Sequence, residues 1–311
     1  MSIITKKDSN EAYHSHDFIG SSVVVSGYDP KSQEVNLAKV KAYIENLTNV
    51  SIQLQKAFDY GTVQHSVVLE QDIAGVIALP EFNVIEGITK KAQVEKWNRD
   101  NPEANKKDMP EFKPVKGITI KEQIAEFKKN NPAQFYLSQS DYNKVLDSFD
   151  VVASHTEASR IISNATHVET SFYDEDTKRK CRPDLVGEDD NGKLYICNYK
   201  TCYDISRAHS DIFFKSYDIR ALHEIKIVEK ALGRKVDDYY FWFQDKSAPF
   251  SLRCIRLEDE DREFAVLEHE RLANMVQMAI KESFFPQPVF RIEHSRVNRK
   301  KLMDDFENEV A

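Results

Sequence analysis

Residues 182–201 read RPDLVGEDDNGKLYICNYKT, two short apolar runs around a Glu-Asp-Asp-Asn-Gly centre. That pattern predicts a β-hairpin. Side chains alternate faces along a strand, so Asn198 and Lys200 point the same way. Where Asp184 points depends on the turn. A two-residue Asn191-Gly192 turn pairs 184 with 199 and sends Asp184 to the other face. A three-residue loop, Asp190-Asn191-Gly192 with Gly192 left-handed in a bulge, pairs 184 with 198 and gathers Asp184, Asn198 and Lys200 on one face. The three-residue loop is the expected one.

Working outward, strand patterns cover 167–176, 178–188 and 192–201, and later 236–244 and 251–259. An amphipathic helix from Asp211 to Leu232 is closed by Gly233; another runs from Glu260 to Ser283. Upstream, a helical pattern spans Val35 to Leu54, residues 58–70 form a buried helix carrying His65, and 138–162 form a further helix. Helices followed by a hairpin, helix, strand, strand and helix predict a mixed α/β fold, helices packed on a central sheet. Three segments are expected: an N-terminal helical segment 1–57, a main domain 58–283, and a polar tail 284–311.

Within the main domain, 86–134 holds a duplication. EGITKKAQVEKWNRDNP at Glu86–Pro102 recurs thirty residues on as KGITIKEQIAEFKKNNP at Lys116–Pro132. Each copy reads as a Thr-capped amphipathic helix stopped by proline. Two copies are too few for a solenoid, so the segment is a helical insertion, structural in role or serving as a lid or assembly surface.

The 311 residues are 41% hydrophobic and 30% charged, enough to build a sizeable core. No apolar run reaches a membrane helix, and the N-terminus lacks a secretory pattern, which predicts a soluble, intracellular chain. The net charge of −8 excludes a wholly basic nucleic-acid coat but not a local basic groove. Cys181, Cys197, Cys202 and Cys254 form no CxxC pair, which points to reduced structural thiols rather than a zinc ribbon. Only 9 glycines predict few left-handed turns.

An acid facing an acid-x-Lys strand is the core of the PD-(D/E)xK nuclease site. Its chemistry needs carboxylates to hold a hard divalent cation, and a lysine to stabilise charge at the phosphate. Alone, the motif is unspecific. Around it stand Tyr13-His14, Ser21-Ser22, Gly61-Thr-Val-Gln-His65 with Val68-Leu-Glu70, the Gly87 and Gly117 helices, Leu137-Ser-Gln-Ser-Asp-Tyr142, Glu169-Thr-Ser-Phe-Tyr173, Arg182-Pro-Asp184 and Tyr199-Lys-Thr201. In order and spacing this resembles the phage and prophage exonuclease family typified by RecE (exonuclease VIII), within the RecB and lambda-exonuclease superfamily, over roughly residues 13–245.

The resemblance implies a restriction-endonuclease-like core, a central mixed sheet flanked by helices. It implies Mg²⁺, with Mn²⁺ as a substitute, and 5′→3′ digestion of linear double-stranded DNA in the cytoplasm of a bacterial host. A ring-shaped trimer or tetramer and a single-strand-annealing partner protein are implied as well. By the same resemblance Asp184 is the central metal ligand, and Lys200 the catalytic lysine. His65, Glu169, Asn198 and the Tyr199 carbonyl lie at the metal; Tyr217, Arg182 and Thr201 lie near DNA. Lys90, Lys91, Lys106, Lys107, Lys178, Arg179 and Lys180 are candidates to line a channel.

Two positions depart from the family. Asn198 stands where it has Asp, and Arg220 where its Tyr-x-x-Gln-Ala helix has Gln. Asparagine offers a carbonyl oxygen without charge, and Arg220 adds a cation able to hold a phosphate. The site is then an engineered trap, a natural variant with residual activity, or a decayed centre on a protein that binds DNA or a host defence or repair protein without cutting.

Overall fold

The computed structural model describes residues 3–45, 52–103, 105, 107 and 109–287, and only the backbone of 52–58. Lys106 and most of the tail lie outside them, as does part of the helix expected over Val35–Leu54; of its described residues Val35 belongs to a short strand, Glu34–Val35, Leu37–Ile44 is a helix, and 52–54 open the helix Ile52–His65.

The centre is a five-stranded mixed sheet, ordered Leu252–Arg256, Asp238–Asp245, Leu194–Cys202, Leu185–Glu188, Ala165–Val168. Leu194–Cys202 runs parallel to Asp238–Asp245, and the remaining neighbours are antiparallel. Both faces are covered, as a sheet with apolar residues on both sides requires. Ile196, Phe241 and Phe243 pack with Ala221, Leu222, Ile225 and Val228 of helix Tyr217–Leu232. On the other face, Cys197, Tyr199 and Trp242 meet Val68, Leu69, Val152 and Ala158. The mixed α/β expectation holds at this level.

Several expected elements split. The single strand predicted over 167–176 is two, Ala165–Val168 in the central sheet and Ser171–Asp174 in a second, four-stranded sheet. The 178–188 segment divides in the same way, into Arg179–Cys181 and Leu185–Glu188. The second sheet also takes Ile3–Lys6 and Ile19–Gly20, so the first 57 residues are not purely helical as expected. The helix predicted from Asp211 breaks at Ser216, between Ala208–Phe214 and Tyr217–Leu232. The cause is common to several of these breaks. Glycine is scarce, yet Gln33, Gln71, Glu169, Lys178, Ser216, Phe250 and Ser283 take positive φ themselves. Such turns carry no glycine signal to be read.

The duplication forms a pair about a local two-fold axis. Ile85 bridges Ile118 and Ile88 bridges Val115, an exchange that the thirty-residue offset maps onto itself. Gln93 Nε2 donates to Lys113 O at 2.7 Å, and its counterpart Gln123 Nε2 donates to Asn83 O at 2.7 Å. Gly87 and Gly117 meet at the axis: a Cβ on Gly87 would lie 2.7 Å from Gly117 N, and one on Gly117 2.7 Å from Gly87 N. The threonine caps are as read, Thr89 accepting from Ala92 N and Thr119 forming a capping box with Glu122.

A buried histidine pair ties the two long helices to the second sheet. His223 Nε2 lies 3.0 Å from the Lys180 carbonyl and must donate, so its Nδ1 accepts from His269 Nε2 at 3.1 Å. Burial lowers both, His223 to about 4 and His269 to about 2. The unfolded chain therefore takes up protons below about pH 6.5 while the folded one does not, and stability falls as pH drops. For His223 alone this is about 3 kcal/mol between pH 6.5 and 4, at 1.36 kcal/mol per pH unit. Urea titrations across that range should show the loss, and a His223→Gln/His269→Gln variant, which cannot protonate there, should show a flatter profile.

Candidate metal and phosphate site

The hairpin has the expected register. Leu185 pairs with Cys197 and Glu188 with Leu194, which sets Asp184 opposite Asn198. Asp189 N donates to Lys193 O and Gly192 N to Asp189 O, both at 2.9 Å, with Gly192 at φ 74°. The three-residue loop is present, and Asp184, Asn198 and Lys200 gather on one face.

Asp184 Oδ2 accepts from the Tyr199 amide at 2.6 Å and faces Lys200 Nζ at 3.4 Å. Lys200 Nζ also donates to the Tyr199 carbonyl at 3.1 Å. Helix Ile52–His65 delivers His65, whose Nδ1 lies 3.9 Å from Asp184 Oδ2 and 3.5 Å from Glu169 Oε1. One ligand atom from each of His65, Glu169 and Asp184 falls within 4.8 Å of the others. Glu169 reaches them from the break between two sheets, at φ 46°. A left-handed non-glycine residue at such a point is strain held in place by its surroundings. Arg182 Nε sits 3.4 Å from Glu169 Oε2, and Arg182 Nη2 donates to Asn10 Oδ1 at 2.6 Å. Arg182 thus braces a carboxylate of the trio.

Asn198 has both ends of its amide engaged. Its Oδ1 accepts from Asp184 N at 3.1 Å, and its Nδ2 donates to Glu224 Oε2 at 3.0 Å. Glu224 also accepts from the Tyr239 hydroxyl at 2.8 Å. Burial raises the Glu224 carboxyl to about 7, against the pull of Lys200 and the Tyr239 hydrogen bond. Thr201, expected near DNA, alternates onto the Tyr199 face, away from Lys200.

Tyr217 stacks on Phe241 with three cations around its ring: Lys200 and Lys215 at 5.9 Å and Arg220 at 5.7 Å. Lys215 pairs with Asp211 at 2.6 Å. Arg220 Nη2 donates to Ser22 Oγ at 3.1 Å. Among the channel candidates, Lys180 is withdrawn: it is buried and donates to the carbonyls of Tyr13 and His16, both at 2.6 Å. Arg179 donates to Gln277 Oε1, and Lys178 pairs with Glu175. Lys90, Lys91 and Lys107 are exposed.

A second set of residues lies beneath the site. Gln64 Nε2 donates to Tyr199 Oη at 2.8 Å and to Ser148 Oγ at 3.1 Å. The Tyr199 hydroxyl donates to Gln244 Oε1, and Gln244 Nε2 donates to Ser148 O at 2.9 Å. The Tyr199 ring meets the His65 ring edge-on at 5.0 Å, so this network seats the imidazole. Sequence reasoning missed Gln64, Ser148, Gln244 and Glu224. Glu224 had a signal: with Tyr217 and Arg220 it follows i, i+3, i+7 spacing, one face of a helix.

No protein-family model matches the chain, and no curated protein does. Among solved structures it is similar to one from Eubacterium rectale described as a "putative exonuclease", with a TM-score of 0.53 and 10% identity, covering 94% of this chain and 97% of that one. The two share a fold. At that identity the likeness speaks for the fold alone.

Proposed function

We propose that the chain is a metal-dependent nuclease with a PD-(D/E)xK-type centre, acting as an exonuclease on linear double-stranded DNA from 5′ ends. The observation that carries this reading is the trio His65, Glu169 and Asp184 within 4.8 Å, with Lys200 3.4 Å from Asp184. Two carboxylates and one imidazole suit Mg²⁺ or Mn²⁺, the nitrogen favouring Mn²⁺. When bound, such an ion lowers the pKa of its water and offsets phosphate charge. The residues supply the rest. Lys200 neutralises charge developing on the phosphate, Arg220 holds a phosphate oxygen, and Tyr217 offers a ring face to a base or sugar. A ring oligomer, a single-strand-annealing partner and a role in phage-type recombination belong to the same reading, as does the bacterial cytoplasm. The described residues contain no helix long and apolar enough to cross a membrane.

The test is digestion of a linear duplex labelled separately at each end, with Mg²⁺ or Mn²⁺, beside a covalently closed circle. Loss of 5′ label with the circle intact supports the reading. Binding of duplex without cleavage under either ion would instead favour a nuclease-derived binding protein, the second reading that Asn198 and Arg220 support.

A further inference from the structure

Position 198 brings no charge to the site, yet a carboxylate stands directly behind it. Glu224 is 5% exposed, and its two hydrogen-bond donors, Asn198 and Tyr239, are both neutral. The cations nearby, Lys200 and Arg220, act on it only through space, without a hydrogen bond to it among the described residues. A buried carboxylate with only neutral donors is costly and calls for a reason. Asn198 supplies one. A flipped amide would turn its carbonyl toward the Glu224 carboxylate and its NH₂ toward the Asp184 N–H, losing both bonds. Glu224 and the Asp184 N–H thus hold Asn198 from both ends, with its oxygen toward Asp184.

We infer that Glu224 is a positioning residue: it holds the Asn198 carboxamide from behind so that Oδ1 serves the cation site beside Asp184 and, when ionised, adds a negative charge behind an amide that has none. The amide sits on the strand and the acid on helix Tyr217–Leu232, joined by one hydrogen bond. The inference rests on the metal-site reading above. Partners that orient a ligand in this way typically change metal affinity 10–100-fold when removed.

The experiment is calorimetric titration of Mn²⁺ into the full chain and its Glu224→Gln, Asn198→Asp and Asn198→Asp/Glu224→Gln variants, with thermal melting of each metal-free protein. Glu224→Gln keeps the shape and should weaken Mn²⁺ binding about tenfold or more. Asn198→Asp should then help far more in the Glu224→Gln background than alone, because alone it sets two carboxylates in contact; a coupling of about tenfold is expected. The double variant restores an acid–amide pair, so it stays informative even if a single variant folds poorly. Equal Mn²⁺ affinity in the parent and Glu224→Gln, with Asn198→Asp acting by the same factor in both backgrounds, overturns this inference and leaves the metal site standing. No Mn²⁺ binding by the parent chain overturns both.

Discussion

Asp184→Asn should abolish divalent-cation-dependent cleavage, lowering the rate on the order of a thousandfold, or about 4 kcal/mol of barrier at 1.36 kcal/mol per decade. The size follows from how many partners share one carboxylate. Asp184 Oδ2 faces Lys200, lies near His65 and accepts the Tyr199 amide. An uncharged amide at 184 removes an anionic ligand, leaves Lys200 without its counter-charge, and can no longer accept with both terminal atoms. Single-turnover cleavage with saturating Mn²⁺ is the appropriate measurement, since weakened metal binding alone would then be masked. A residual rate within tenfold of the parent would mean that Asp184 is not the central ligand. Folding should be little affected, because asparagine is nearly isosteric and Oδ1 can still take the Tyr199 N–H. A circular dichroism melt would check this.

The second large effect is on stability. Gln244→Leu removes the acceptor of the Tyr199 hydroxyl and the donor to Ser148 O and Phe250 O, all deep under the sheet. Gln64, Ser148, Tyr199 and Gln244 are each fully buried, so the orphaned groups find no water. At roughly 1–3 kcal/mol for each unsatisfied buried group, the loss should reach about 4 kcal/mol in urea unfolding. Tyr199 also seats His65, so the variant that survives should bind Mn²⁺ more weakly. A fully stable variant with unchanged metal affinity would show that the network repacks around leucine and does not support the site.

The parts of this molecule legible in its sequence are those where one residue type forces one geometry. Asp190-Asn191-Gly192 set the hairpin register because the loop ends on a left-handed residue, the conformation glycine takes at least cost, and the facing of Asp184, Asn198 and Lys200 followed. Gly233 ended its helix, and Thr89 and Thr119 began theirs. The breaks at Glu169 and Ser216 were not legible. Neither residue advertises a positive φ; Glu169 is held there beside His65 and Arg182, and Ser216 is buried between its two helices. Lys180 looked like a surface charge beside Lys178 and Arg179, but alternation and the Tyr13 and His16 carbonyls draw it inward. Glu224 was hidden for another reason. Its partner Asn198 is 26 residues away, and only the packing of a helix across the strand makes them neighbours.

The paired repeat carries a consequence for how such a unit arises. Copies joined head to tail leave a free face at each end and can go on adding units; copies joined face to face use up the same surface on both partners. Ile85 with Ile118, Ile88 with Val115, and Gly87 against Gly117 are contacts of the second kind. A third tandem copy would find no edge of this kind left to join. The duplication is thus self-terminating, which accounts for a repeat that stops at two.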